Sequence, residues 1–304
     1  MRIVYFGSPA DAVTPLRALV ANGDDVALVV TQPDRRRGRR GGELLATPVK
    51  LCAQELGLRV VTPQKSIEII DEVAALEAQL GVVVAFGQIL PPELLAATRS
   101  GFVNLHFSLL PRWRGAAPVE RAIIAGDHET GVAVMAMEAG LDTGGIFAEA
   151  RLEIGDNVTA GELRSQLVDI GTSLLVESID AVPKMHPRPQ VGDPVYAHKL
   201  SVEEFRLDTD RPVGDLARVV RAGNPKPGAW VVVDGQRLKV LGAHVVDRDL
   251  PGIGAVSKRA VLNCRDGGLL LDEVQPNGKR PMSGMAWRSG KRNEVNVDGV
   301  NRDV

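Results

Sequence analysis

Val82, Val83, Val84 and Ala85 form an apolar run with no polar residue to break it. A strand with one wet face alternates polar and apolar side chains, whereas a strand covered on both faces does not. The run is too short for a helix, so it predicts a central strand of a parallel sheet. The flanking residues agree. Residues 2–6 are apolar and β-prone, and after a turn at Gly7, Ser8 and Pro9 the pair Thr14-Pro15 supplies a cap and a first-turn proline for a helix ending near Asn22 and Gly23. Further strands are predicted at 26–30, 59–61, 102–105, 132–137 and 146–154. Helices are predicted from Thr47-Pro48 to Gly57, over 66–80 with Ile67, Ile70, Val73, Ala74 and Leu76 at helical spacing, and over 93–99 and 116–126. Thr159 and Glu162 form a capping box for a helix running to about Ala181. Residues 1–182 are therefore expected to fold as one doubly wound, Rossmann-like, mostly parallel α/β domain. The first turn carries Gly7 alone where a dinucleotide fingerprint needs three glycines, which disfavours a nicotinamide cofactor.

At Pro183 the texture changes. Pro183, Pro187, Pro189 and Pro194 among scattered charges predict a semi-extended linker over 183–207. Beyond it come a helix over 213–222 and a hairpin over 229–241 with a type I′ turn at Asp234-Gly235. A second hairpin is expected where 261–264 and 269–274 flank residues 265–268. Short strands of this density over 208–304 predict a small OB-like β-barrel.

Charge and cysteine content narrow the function. A net charge of −2 argues against binding nucleic acid through bulk charge. Locally, however, Arg35, Arg36, Arg37, Arg39 and Arg40 crowd together, with Gly38, Gly41 and Gly42 between and after them. Such a run is either a solvated loop or a contact to a phosphate backbone. There is no apolar run of eighteen residues, and the N-terminus already reads as a strand, leaving no room for a signal peptide; a cytoplasmic protein without membrane contact is expected. Cys52 and Cys264 have no metal-like spacing, so reduced, packed thiols and no metal site are expected.

The chemistry concentrates in two stretches. Side chains on a strand repeat every second residue, so Asn104 and His106 project to one side, and Pro111 stops the strand just beyond them. The pair thus sits at the carboxyl end of a strand, where open parallel sheets bind ligands. Asp142 follows in a loop with Gly140, Gly144 and Gly145. Each residue alone has an ordinary explanation: a packed histidine, an asparagine capping its own strand end, an aspartate in a turn. Together, an amide donor, a titratable base and a carboxylate to orient it fit acyl transfer to an amine. The loop containing Phe86, Gln88, Ile89 and Leu90 is expected to form a second wall of the same cleft.

These residues resemble a known family. Asn104 and His106, then Ser108-Leu109-Leu110-Pro111, and Asp142 before Thr143-Gly144 are similar to the signature of folate-dependent formyltransferases. The longer match through Arg112, Trp113, Arg114, Gly115 and Pro118, with Thr31 to Asp34 and Asn224 to Ala229, resembles those members that act on charged tRNA. The resemblance implies transfer of a formyl group from 10-formyltetrahydrofolate to the α-amine of initiator methionyl-tRNA, by a monomer without a metal. It implies catalytic roles for Asn104, His106 and Asp142, a folate lying along Ser108, Leu109, Leu110 and Pro111, tRNA contact by the arginine loop with Arg39 foremost, and an OB-like second domain that helps hold the tRNA. Phe86, Phe107 and Glu120 depart from the family's usual residues, and none of them removes a catalytic group. A formyltransferase of small amines, a formyltetrahydrofolate hydrolase and a non-catalytic RNA-binding protein are the competing readings.

Overall fold

The unbroken apolar run lies where its composition requires. In the computed structural model, which describes residues 1–36, 44–249 and 252–298, the first sheet contains β1 (Arg2–Gly7), β2 (Asp25–Val30), β3 (Val60–Val61), β4 (Leu80–Val84), β5 (Phe102–His106), β6 (Glu129–Ala136) and β7 (Ile146–Glu153). Their spatial order is β7-β6-β5-β4-β1-β2-β3. All five residues of β4 are buried between β1 and β5. The pairs β1–β2, β1–β4, β2–β3 and β4–β5 are parallel, and β5–β6 is antiparallel. From β1 the chain builds outward through β2 and β3, then returns to β4 on the other side. The crevice between the carboxyl ends of β1 and β4 is therefore the topological switch point.

Three aromatic rings fill the layer beneath that crevice. Phe6 of β1 meets Phe86 edge-on at 5.2 Å and Phe102 of β5 at 5.4 Å, and all three join a core with Val4, Leu28, Val30, Val83 and Leu94. Gly81 makes room for this: a Cβ there would lie 2.1 Å from the Phe102 ring. Helix formation differs from the periodicity in two places. Over 66–80 the chain forms a 3-10 turn at Ser66–Ile69 and a short α-helix at Ile70–Ala75, ending before Glu77, which is left-handed at φ 50°. The helix expected over 93–99 is a single turn, Pro92–Leu95, because the Thr98 hydroxyl closes onto the carbonyl of Gly101 instead.

Contacts divide the chain into two units: Met1–Pro118, Glu129–Leu152 and Arg164–Ala197 form the first, and Val119–His128, Glu153–Leu163 and His198–Val304 the second. Residues 183–197, read as linker from their prolines, cluster with the first unit. Tyr196–Ala197 pairs in parallel with Arg114–Gly115, and Arg188 bridges Ile146. In the second unit Ala229–Val233 and Gln236–Val246 form the expected hairpin, with Asp234 and Gly235 both at positive φ as a type I′ turn requires. The antiparallel sheet continues through Gly268–Pro276, Val261–Asn263, Ala255–Val256 and Val295–Asn296. Register shifts around Gly242 bend its longest strand. A bridge from Val297 to Val233 returns the last strand to the first, so the sheet curls into a small barrel. Both cysteines are buried free thiols, and burial pushes Cys264 up to about 12 and Cys52 upward as well. They are poor nucleophiles for that reason.

The helix Ala160–Ser178 begins with the capping box read from the sequence. Glu162 N–H donates to the Thr159 hydroxyl at 3.3 Å, and the Glu162 carboxylate accepts from the Thr159 N–H at 2.9 Å and hydroxyl at 2.8 Å. Those two bonds hold the Glu162 carboxyl below its usual value of 4.5. Thr159→Ala is expected to cost about 1 kcal/mol of stability. The stability difference between wild type and Glu162→Gln should be complete above about pH 4.5 and vanish as pH falls through the lower folded value. Denaturant unfolding at pH 7 and pH 3 checks both.

Candidate active site

His106 ends β5 and is almost completely buried, at 5 % exposure. Its ring is held at both nitrogens. Nε2 lies 2.9 Å from the carbonyl oxygen of Trp113, and because a carbonyl only accepts, Nε2 carries a proton in this arrangement. Nδ1 lies 3.6 Å from Oδ2 of Asp142, whose carboxylate is itself largely covered. Asn104, two residues earlier on the same strand, is half-buried and pairs through its backbone register with Val83 and Met135. Its side-chain amide has no hydrogen-bond partner among the described residues, which leaves two donors uncommitted beside the imidazole. The structure thus brings His106 and Asp142 together, with Asn104 on the same strand face.

Asp142 is fixed by its surroundings rather than by its own loop. Oδ2 accepts the main-chain N–H of Gly115 at 2.8 Å. Gly115 is held in turn by pairing with Ala197, at a φ of 120° that side-chain-bearing residues rarely adopt. Trp113, just before, is left-handed at φ 64°, and this turns its carbonyl toward His106. The guanidinium of Arg112 packs 4.5 Å over the Trp113 ring. Gly115 and Trp113 lie in the Pro111–Pro118 stretch that the sequence singled out, but their roles could not be read there because they act through the main chain. Gln190, which donates to the carbonyls of Asp142 and Gly144, comes from the proline-rich stretch and carried no signal at all.

The residues expected along a folate divide by burial. Phe86 at 2 % exposure, Leu90 at 5 %, Leu110 at 7 % and Ser108 at 0 % all turn inward. Phe86 and Leu90 belong to the aromatic core, and Leu110 packs with Ala133, Met135 and Ile146. The Ser108 hydroxyl donates to the carbonyl of Arg112 at 2.6 Å. These four side chains offer little surface to a ligand. Ile89 is the opposite case at 88 % exposure, and Leu109 and Gln88 are half-buried, with the Gln88 amide donating to the carbonyls of Pro63 and Gln64. The loop is braced at the switch point: Ser8 and Gln32 both donate to the Phe86 carbonyl, and the Gln32 N–H donates to Ser8 Oγ. Pro111 ends the opposite wall and is half-buried.

Of the arginine run, Arg35–Arg36 pairs with Leu44–Leu45 as a short exposed hairpin, and Arg35 donates to Gln32 Oε1 at 2.7 Å. Arg37, Arg39 and Arg40 lie outside the described residues. Among the described residues no helix is long and apolar enough to cross a membrane.

A strand-end amide and an imidazole faced by a carboxylate, in an α/β sheet, are the groups that acyl transfer to an amine would use. Known proteins agree with that class. Residues 1–179 match the formyl transferase family and residues 199–292 its C-terminal domain. The methionyl-tRNA formyltransferase of Neisseria meningitidis serogroup C (strain 053442) is 41% identical over 97% of this chain and 99% of its own. That of Paracoccus denitrificans (strain Pd 1222) is 44% identical over 93% of this chain and 95% of its own. An N-formyltransferase from Helicobacter canadensis, solved with folinic acid and dTDP-3-aminofucose, shares the fold with a TM-score of 0.69 at 16% identity, over 90% of this chain and 98% of that one. The chain belongs to the formyl transferase family, in the group of the methionyl-tRNA formyltransferases.

A methyl group at Gly115 would sit 2.9 Å from the carbonyl oxygen of Ala197 and would demand a disfavoured φ. Gly115→Ala is therefore expected to pull its N–H off Asp142 and lower kcat by about a hundredfold. Steady-state kinetics on the folded variant checks this; an unchanged kcat would show that the Gly115 N–H does not set the carboxylate.

Proposed function

We propose that this protein transfers the formyl group of 10-formyltetrahydrofolate to the α-amine of initiator methionyl-tRNA in the cytoplasm, giving the formylated aminoacyl-tRNA. One observation carries the reading: His106 and Asp142 face each other at 3.6 Å at a strand's carboxyl end, in a chain whose relatives over nearly its full length are methionyl-tRNA formyltransferases. The folate is assigned to the crevice walled by Phe86, Gln88, Ile89 and Leu90 on one side and Ser108, Leu109, Leu110 and Pro111 on the other. With so many of these side chains turned inward, recognition there falls mostly to backbone groups.

The chemistry follows from charge. The attacking amine must be neutral, and its attack puts negative charge on the formyl oxygen. The Asn104 amide, on the same strand face as His106, donates to that oxygen in this reading, and a donor properly placed is worth about 3–4 kcal/mol of barrier. His106 cannot use Nε2 while the Trp113 carbonyl holds it, so the imidazole works through its Nδ1 edge, shared with Asp142. Asp142 orients the ring and takes up the proton released by the amine, directly or through water; the tetrahedral intermediate then collapses, the bond from the formyl carbon to N10 of the folate breaks, and that proton passes to N10 as tetrahydrofolate leaves. No step calls for a metal ion.

An assay with formyltetrahydrofolate and charged initiator tRNA should give formylmethionyl-tRNA. Asn104→Ala should lower kcat by about a hundred- to a thousandfold with tRNA affinity nearly unchanged, and His106→Ala and Asp142→Asn should act in the same sense. Formylation of small amines in preference to charged tRNA, or formate release without an acceptor, would refute the reading.

The tRNA is assigned to the arginine loop and the barrel. Neutralising Arg35, Arg36, Arg37, Arg39 and Arg40 together should weaken tRNA binding and flatten its dependence on salt, by about 0.7–0.9 in log–log slope for each phosphate that is no longer neutralised. A binding titration across salt concentrations measures this, and an unaltered slope would leave the run a solvated loop.

A further inference from the structure

Asp142 meets His106 from a backbone position that would not hold itself. It is left-handed at φ 51°, in a loop with Gly140, Gly144 and Gly145. A residue with a side chain stays in that region only when its neighbours over-determine it. The Gly115 N–H fixes the carboxylate, but something must also fix the main chain from which the carboxylate hangs.

Gln190 does this. Its side-chain NH₂ donates to the carbonyl oxygens of Asp142 and Gly144, each at 2.8 Å, and so spans the turn of the loop. Its Oε1 accepts from Nε and Nη2 of Arg114 at 3.0 and 2.6 Å. A guanidinium only donates and a carbonyl only accepts, so the amide can point only this way, and both its protons and its oxygen are committed. Arg114 immediately precedes Gly115. The carboxylate and the main chain of Asp142 are thus both tied to one two-residue strand, Arg114–Gly115, and Gln190 is the tie for the main chain.

We propose that Gln190, oriented by Arg114, is a positioning residue of the reaction: it holds the 142–144 loop so that the Asp142 carboxylate faces Nδ1 of His106. The inference rests on the role given to Asp142 above.

The test uses the whole protein under single-turnover conditions with enzyme in excess. Gln190→Met keeps the length of the side chain and removes the amide. Gln190→Glu keeps an oxygen for Arg114 and sets a second against the two carbonyls. Both should lower the formylation rate by about 10- to 100-fold with apparent affinities for folate and charged tRNA within about twofold. In an Asp142→Asn background the same substitutions should change the rate by no more than about threefold, because residues acting through one group are not additive. Should either variant fail to fold, Arg114→Lys, which offers one ammonium in place of two N–H donors, should show the same dependence on Asp142 with a smaller loss. A full rate, a loss confined to substrate affinity, or an equal loss in the Asp142→Asn background would each overturn the proposal. An Asp142→Asn protein with a full rate would instead overturn the role of Asp142 itself.

Discussion

A side chain at a strand end and one from a distant loop are not kept close by the loop's own stiffness, and the remedy here is main-chain hydrogen bonding. The 3.6 Å between His106 and Asp142 depends on the Trp113 carbonyl at one edge of the ring and the Gly115 N–H on the carboxylate. Both groups belong to one short stretch after β5, and that stretch is pinned by pairing with Tyr196–Ala197. Backbone donors and acceptors have no rotamers to lose, so they impose geometry at little entropic cost. The left-handed Trp113 and the wide φ of Gly115 are what this costs locally, and the strand pairing holds both in place.

The crevice at the switch point is built by the same logic. Loops after β1, β2 and β4 are joined through Ser8, Gln32 and the Phe86 carbonyl, while the Phe86 ring is driven into the core against Phe6. Burying an aromatic ring anchors the loop from below. In the function we propose, this fixed loop is what lets backbone groups read the folate.

How much of this could be seen in the sequence depends on whether a residue acts through its side chain. The sheet was legible because β4 is apolar throughout and β1 is apolar after Arg2, and the capping box at Thr159 because its two members face each other at fixed spacing. Asn104, His106 and Asp142 stood out in the sequence because their chemistry is unusual in company. Phe86 and Leu90 were assigned to a binding wall from position and Leu110 from the family resemblance, and the sequence could not reveal that their side chains turn into the core. The prolines of 183–197 suggested a tether, yet proline does not exclude edge pairing, and Tyr196–Ala197 pairs. Gln190 was invisible for a plainer reason: a single amide in a polar stretch has no pattern until its four partner atoms are in space.

The commitment of the His106 ring also constrains how the work can be divided. A ring that gives its Nε2 proton to Trp113 has one edge left, and that edge already faces a carboxylate. It cannot supply two independent donors to a developing oxyanion. In the mechanism we propose, the Asn104 amide then provides the first donor, and the imidazole a second only as far as Asp142 releases the Nδ1 edge. Proton handling and oxyanion stabilisation are in that case coupled through one ring nitrogen rather than assigned to separate groups. In that mechanism a small shift of the carboxylate would alter both functions together, which gives the two anchors of Asp142 a purpose.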